Sequence, residues 1–238
     1  MVKKIFKIST GYNLAKNFRD SILLIGNYDG FHAGHQKIFN EAKKYSKRYN
    51  LKIVVFTFDP LPVMYFNKKI KNYRILNNEQ KFSLLKKIGI DYVINKKFDL
   101  AFSKIPHDKF IKAIIVKKIN PKFIFVSNNF RYGNKRKGDV KQLIKQGIKY
   151  NFKVIKPNPL KVNKKIISST LIRDLLRKGK LKQANKLLSR NWVINGFVER
   201  GKQLGKKLGF PTCNIGIKDY VLAKPGVYSV RVTIKNSK

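Results

Sequence analysis

Two of the chain's three histidines, His32 and His35, stand three residues apart in the segment Gly26-Asn27-Tyr28-Asp29-Gly30-Phe31-His32-Ala33-Gly34-His35. That segment follows an apolar run, Ser21 to Ile25, and opens a helical pattern. In an open α/β sheet, ligands bind beyond the carboxyl ends of the strands. Gly26, Gly30 and Gly34 let the backbone approach a ligand, and a helix N-terminus offers its N–H groups to phosphate. His32 and His35 can then face one phosphate group and donate hydrogen bonds as charge builds on a leaving pyrophosphate. The plain alternative is a tight turn with two incidental histidines, against which stands their concentration in one Gly-rich strand-to-helix turn. His107 begins a separate helical pattern and reads as a surface or capping residue.

Those residues need a sheet to hold them. Ser21 to Ile25, Leu51 to Phe58, Tyr92 to Asn95 and Phe123 to Val126 are short, apolar throughout and partly β-branched, as strands buried on both faces are. Helical patterns lie between them. Ile38, Phe39, Ala42 and Tyr45 share one face, and Phe82, Leu85 and Ile88 another, entered at Asn77 or Asn78 and ended by Gly89. A third, around Phe110, Ile111, Ile114 and Ile115, stops at Asn120-Pro121. The alternation predicts βαβ units and a parallel sheet over residues 1–188. Ser169 to Lys178 and Leu181 to Leu188 read as two short helices. After them Trp192 to Glu199, a Gly-rich stretch from Gly201 to Gly209 and the alternating run Gly226 to Ile234 predict a second, all-β unit over 189–238.

A chain of 238 residues, 43% hydrophobic and 12% aromatic, has enough apolar material for a sizeable core. No apolar run approaches the roughly 20 residues that cross a bilayer, and the N-terminus lacks the apolar segment of a secretory signal. With one cysteine, Cys213, the reading is a cytoplasmic protein with no membrane partner. The net charge of +42 suggests a polyanion partner, but 44 of the 54 basic residues are lysine, spread over nearly every segment. A dedicated nucleic-acid binder would cluster arginines and aromatics on one element. Base drift toward A/T-rich codons accounts for the lysines, so no specific nucleic acid is expected.

At this point the chain resembles a known family. The pattern G-N-[FY]-D-G-x-H-x-G-H is similar to the phosphate-binding turn of the bifunctional riboflavin kinase / FMN adenylyltransferases, a branch of the HxGH nucleotidyltransferases. Further motifs follow in order. Thr57-Phe58-Asp59-Pro60-Leu61-Pro62 is similar to T-F-x-P-x-P, and Phe98 to Ser103 followed by Phe110-Ile111 to F-D-x-x-F-A-x-L-S with its F-I. Val126-Ser127-Asn128-Asn129-Phe130-Arg131-Tyr132-Gly133 resembles V-G-x-[DN]-F-x-[FY]-G, with Ser127 in place of Gly. Ile167-Ser168-Ser169-Thr170-Leu171-Ile172-Arg173 matches I-S-S-T-x-[IV]-R, although Ile166 stands where a basic residue often precedes it.

The resemblance implies an α/β, Rossmann-like HxGH nucleotidyltransferase domain that transfers AMP from ATP to FMN, giving FAD and pyrophosphate with Mg²⁺. It implies catalytic roles for His32, His35 and Arg173. ATP and its phosphates would be held by Gly26, Asn27, Asp29, Gly30 and Gly34 on one side and by Ser168, Ser169 and Thr170 on the other. Flavin would be received by Phe58, Pro60, Pro62, Asn129 and Phe130.

The second unit resembles the start of the family's riboflavin kinase β-barrel. Gly201 to Asn214 is close to G-x-x-x-G-R-x-L-G-F-P-T-A-N, with Lys206 for Arg and Cys213 for Ala, and Gly226-Val227-Tyr228 matches G-V-Y. The resemblance makes Thr212 and Asn214 ligands of a kinase Mg²⁺ beside ATP, with riboflavin as that module's substrate. The family's catalytic glutamate lies downstream of G-V-Y, where this chain has no carboxylate, so the expectation is an incomplete barrel, little riboflavin kinase activity and self-association through the open barrel. Rival readings are another HxGH adenylyl- or cytidylyltransferase, or a basic nucleic-acid-binding protein whose binding would persist at high salt.

Overall fold

The computed structural model describes residues 6–12, 14–201, 207 and 209–234. Its centre is a six-stranded sheet of β1 (Lys7–Ser9), β2 (Ile22–Ile25), β3 (Ile53–Asp59), β4 (Tyr92–Lys97), β5 (Phe123–Phe125) and a later strand, Lys153–Ile155. The order is β1, β4, β3, β2, β5, Lys153–Ile155, and every pairing is parallel. The four apolar runs read from the sequence are the four inner strands. The two edges were not legible as strands, because Lys7–Ser9 and Lys153–Ile155 mix exposed polar and half-buried residues.

Both faces of the sheet are covered, which is why its inner strands are apolar over most of their length, turning polar only toward the carboxyl ends of β3 (Thr57, Asp59) and β4 (Asn95 to Lys97). Leu23, Val54, Ile94 and Ile124 pack with Ile111, Ile115 and Leu143 on one side. On the other side Ile22, Leu24, Val55, Val93 and Phe125 pack with Phe39, Ala42 and Leu85. Phe39 and Ala42 lie on α1 (Ala33–Tyr49), which ends at Asn50 in the left-handed region. A five-residue helix, α2 (Pro62–Phe66), follows β3. Next comes α3 (Asn78–Lys87), capped by Asn77 in a reciprocal box with Gln80. The buried positions of α3 are Lys81 and Leu85, so the face read from Phe82, Leu85 and Ile88 is rotated to bring a lysine inward. Leu85 fits the core; Lys81 does not, and it bears on the site.

Beyond β4, a single turn, α4 (Leu100–Ser103), is capped by Asp99, and His107 starts another, α5 (His107–Lys109). The latter widens into π-helical turns over Phe110–Ile119, closed where the Asn120 N–H donates to the Ile115 carbonyl. A long helix, α6 (Val140–Tyr150), precedes the edge strand Lys153–Ile155. Two paired segments, Lys161–Val162 and Lys165–Ile166, then lead the chain to α7 (Ser169–Arg177) and α8 (Leu181–Leu188). These helices pack Ile172, Leu176 and Leu188 with Ile75, Ile167 and Val221 in a third cluster.

The all-β expectation for residues 189–238 is met only in part. Within Trp192 to Glu199 only Val198–Glu199 is a strand, paired antiparallel with Asn214–Ile215. Gly226 to Ile234 has the alternation of a strand but joins no sheet, and Val227, Val230, Val232 and Ile234 are exposed. Alternation makes a strand only where a partner takes its N–H and C=O groups, and among the described residues none does. Lys202 to Lys206 and Leu208, within the Gly-rich stretch, lie outside the described residues. Part of this segment is nonetheless docked: Tyr220 and Val221 are buried, the Asp219 carbonyl accepts from the amides of Tyr73 and Arg74 at 2.7 Å, and Trp192 Nε1 donates to the Ile75 carbonyl.

Candidate active site

The turn from Gly26 to His35 leaves the carboxyl end of β2 and enters α1. It is tightly wound, with Tyr28, Gly30 and Phe31 all at positive φ (50°, 82° and 41°). Such angles cost free energy in non-glycine residues and persist where the surroundings enforce them. Here the enforcing contacts are visible. The buried Tyr28 ring meets His35 and Phe39 edge-on at 5.2 and 4.9 Å, and Phe31 packs on Phe39 at 5.0 Å. Burial pushes the Tyr28 phenol up, so it stays neutral. The glycines answer to packing within the protein: a Cβ on Gly30 would lie 3.0 Å from Ile75, and one on Gly34 would lie 3.1 Å from His32 Nδ1 and 3.2 Å from the Ile167 carbonyl.

His32 is the N-cap of α1, its Nδ1 accepting from the His35 amide at 3.3 Å. A ring that accepts at Nδ1 carries its proton at Nε2, which leaves an N–H to donate elsewhere. Burial lowers the His32 pKa to about 4, helped by Arg190 and Arg173. Burial and the neighbouring His32 push His35 down as well. The two rings stack at 3.7 Å and 18°, and His35 Nδ1 has no hydrogen-bond partner among the described residues. The pair is therefore neutral near pH 7.

Asp29 ties three parts of the chain together. One carboxylate oxygen accepts from the amides of Ile75 and Leu76 at 3.0 and 3.2 Å, and the other pairs with Arg173 at 2.9 Å. Both partners of the ion pair are buried. Burial pushes the Asp29 carboxyl up against the opposing pull of Arg173 and the two amides. Arg173 also lies over the Tyr73 ring at 3.8 Å. Ser169 donates to the Asp29 carbonyl at 2.7 Å, Ser168 caps α7 by accepting from the Leu171 amide, and Thr170 is exposed. So the Ser-Ser-Thr segment stands beside the histidine turn, with the Ser169 hydroxyl tying α7 to it and the Ser168 oxygen capping the helix.

The flavin candidates occupy the ends of β3 and β5. Phe58, Phe102, Phe110, Tyr132 and Phe130 form a continuous chain of ring contacts, each between 5.6 and 6.2 Å. Phe58 and Phe130, distant in sequence, thus belong to one aromatic wall. The Asp59-Pro60 bond is cis, and Pro62 opens α2. Asn129 is exposed and accepts from Ser127 Oγ at 2.9 Å, so the residue in place of glycine buttresses it. The side chain of Asn27 is exposed, while its carbonyl accepts from Thr57 Oγ1. Thr212 and Asn214 are exposed, and no hydrogen bond or ion pair among the described residues joins them to the histidine turn.

This geometry sits in a chain whose residues 14–171 match the FAD synthetase family and whose residues 188–238 match the riboflavin kinase family. The chain belongs to the bifunctional riboflavin kinase/FMN adenylyltransferase family. It is 39% identical to the protein of that name from Buchnera aphidicola subsp. Schizaphis graminum, over 93% of this chain and 72% of the relative. To the Escherichia coli K12 protein of the same name it is 34% identical, over 89% of this chain and 67% of that one. A crystal structure described as a macrolide-efflux protein from Streptococcus pneumoniae shares the fold, with a TM-score of 0.79 and 27% identity over 94% of this chain and 73% of that one. Among the described residues no helix is long and apolar enough to cross a membrane.

Three cations near the family's turn were not singled out in the sequence. Arg190 donates to the carbonyls of Gly30 (2.7 Å), Phe31 (3.3 Å) and Leu188 (3.1 Å), bracing the turn from beyond α8, and burial lowers its pKa to about 10. Arg74 pairs with Asp59 at 2.5 Å. Lys81 donates to Thr57 Oγ1 at 3.3 Å, and burial, then Arg74, lowers its pKa to about 8 against the opposing pull of Asp59 and Asp29. In a chain with 44 lysines the composition hides such residues. The one available signal was Lys81 recurring four residues before Leu85 on an otherwise apolar face.

Proposed function

We propose that this chain makes FAD from FMN and ATP at the His32–His35 turn. An oxygen of the FMN phosphate attacks the α-phosphorus of ATP, the new P–O bond forms as the bond to the β-phosphate oxygen breaks, and pyrophosphate leaves with the electron pair. The observation that carries this reading is the stacked, neutral histidine pair at the start of α1, next to the guanidinium of Arg190. Neutral imidazoles donate hydrogen bonds to a departing pyrophosphate without giving up a proton they need. Phosphoryl chemistry of this kind needs alignment and charge neutralisation more than a protein nucleophile. In the aromatic wall from Phe58 to Phe130, the partly buried Phe58, Phe102 and Phe130 offer apolar ring surface to an isoalloxazine, while Phe110 and Tyr132 lie in the core behind them.

Mg²⁺ enters as the ATP complex. Both carboxylate oxygens of Asp29 are engaged and Asp59 pairs with Arg74, and among the described residues there is no group of three His, Cys, Asp or Glu suited to a metal. Magnesium held mainly by substrate phosphates fits such a donor set. In the riboflavin kinase region Thr212 and Asn214 are the proposed ligands of that module's own Mg²⁺. FMN is the proposed acceptor at the His32–His35 turn. A cytoplasmic setting, with no specific nucleic-acid partner, goes with this reading. The test is incubation with FMN, ATP and Mg²⁺, followed by chromatography. FAD is expected; a folded sample that forms no FAD overturns the reading.

A further inference from the structure

Lys81 is 3% exposed, and its ammonium has one hydrogen-bond acceptor among the described residues, the Thr57 hydroxyl. An ammonium carries three N–H donors, and a buried charge with two of them unused is costly unless something else takes them. Thr57 is itself fully buried, and its hydroxyl donates a hydrogen bond to the Asn27 carbonyl at 3.3 Å. Lys81 therefore ends under the junction of β2, β3 and the histidine turn, at the carboxyl edge of the sheet where ligands bind.

The charges around that edge divide unequally. Arg173 is neutralised by Asp29, Arg74 by Asp59, and the histidine pair carries none. Two cations, the buried Lys81 and the half-buried Arg190, remain without a carboxylate at hydrogen-bonding distance among the described residues. Arg190 grips Gly30 and Phe31 at the α1 end of the turn, and Lys81 reaches Asn27, through Thr57, at the β2 end. The reaction brings together two separate anions, the triphosphate and the acceptor phosphate. His32 and Arg190 share the α1 end, which suits the triphosphate, whereas Thr57 begins the segment that carries Phe58 into the aromatic wall. We propose that Lys81 binds the phosphate of the acceptor flavin and selects phosphorylated flavin over riboflavin at this site. The inference rests on the adenylyl-transfer reading and adds the residue that reads the acceptor's charge.

The test compares Lys81→Met, which keeps length and removes charge, and Lys81→Arg with the unaltered chain. Dissociation constants for FMN, riboflavin and Mg-ATP are measured by flavin fluorescence or calorimetry, alongside KM and kcat for FAD formation. Lys81→Met is expected to weaken FMN by about tenfold or more, the scale of a lost charge-assisted bond, and to leave riboflavin and Mg-ATP within about twofold. Lys81→Arg should recover part of the FMN affinity. Equal weakening of FMN and riboflavin, or a loss confined to Mg-ATP, overturns the proposal. Should Lys81→Met fail to fold, as a thermal melt would reveal, the polar uncharged Lys81→Gln takes its place, and an FMN-to-riboflavin affinity ratio unchanged in that variant would overturn the proposal in the same way. If the unaltered chain binds FMN over riboflavin yet forms no FAD, the adenylyl-transfer reading fails while the Lys81 measurement still stands.

Discussion

The imidazole rings of His32 and His35 lie 3.7 Å apart and within 18° of parallel, one capping the helix on which the other sits. Two cationic rings could not share that spacing at low dielectric, so stacking and neutrality are one arrangement. The cap fixes which nitrogen of His32 bears the proton, and Tyr28 fixes the plane of His35 from its edge. The site thus holds preset donors and takes its positive charge from Arg190 and Lys81.

His32→Ala and His35→Ala should each slow FAD formation by about 10²- to 10³-fold, the usual loss for one preset charge-stabilising donor. Because the rings stack, the double variant should fall well short of the product of the single losses. Steady-state rates at saturating FMN and Mg-ATP check this. Near-normal turnover in both single variants would make the pair a structural cap.

A pH prediction follows from the burial of His32. Its folded pKa of about 4 lies below the ordinary value near 6.5, so between these pH values the unfolded chain binds a proton that the folded chain does not. Stability should therefore fall as pH drops through this window, by up to about 1.4 kcal/mol per pH unit for the one proton. Asp29, pushed up by burial, acts in the opposite sense, so the comparison must be between the unaltered chain and His32→Asn. Urea midpoints from pH 7 to pH 4 should converge for the two proteins as pH falls. Parallel curves would mean that His32 titrates normally.

The Asp29–Arg173 pair makes a third prediction. Asp29→Asn would leave the Arg173 guanidinium buried without its counter-charge, which typically costs about 3–5 kcal/mol. Adding Arg173→Met should restore much of that stability, because no buried charge then remains, while FAD formation stays impaired. Denaturant unfolding of the three proteins separates these outcomes. A single variant as stable as the unaltered chain would show that solvent reaches the pair.

The inner strands were legible because burial on both faces makes them continuous apolar runs until their carboxyl ends, and the histidine turn because glycines and histidines are rare enough to mark it. Lys81 and Arg190 were not, since a cation drawn into the fold looks like any other of the 54 basic residues until its surroundings are known. Ser168 and Ser169 show the converse. Their residue types suit phosphate, yet the fold uses the first as a helix cap and the second as a tie to Asp29. Alternation from Gly226 to Ile234 reported apolar spacing faithfully but could not report whether a partner strand exists.

That last segment sets up a competition between charge and apolar contact. Val230, Val232 and Ile234 recur every second residue, so in extended backbone they share one face, and they are 74%, 67% and 83% exposed. Phe197 and Phe210 add further exposed apolar surface at 90% and 78%. Unpaired extended backbone with such a face tends to pair with another chain. Opposing this is the +42 net charge, which repels a second copy. Salt should decide between them, because at about 1 M the Debye length shrinks to about 3 Å while apolar contact is undiminished. Light scattering of the 238-residue polypeptide is therefore expected to show a mass that rises with protein concentration, and more steeply at 1 M than at 0.1 M salt. Val230→Lys with Val232→Glu should hold the chain at its monomer mass of 27.7 kDa under both conditions. A monomer at every salt and concentration would show that this face does not self-associate, whereas complexes that dissolve as salt rises would point to nucleic acid bound by charge alone.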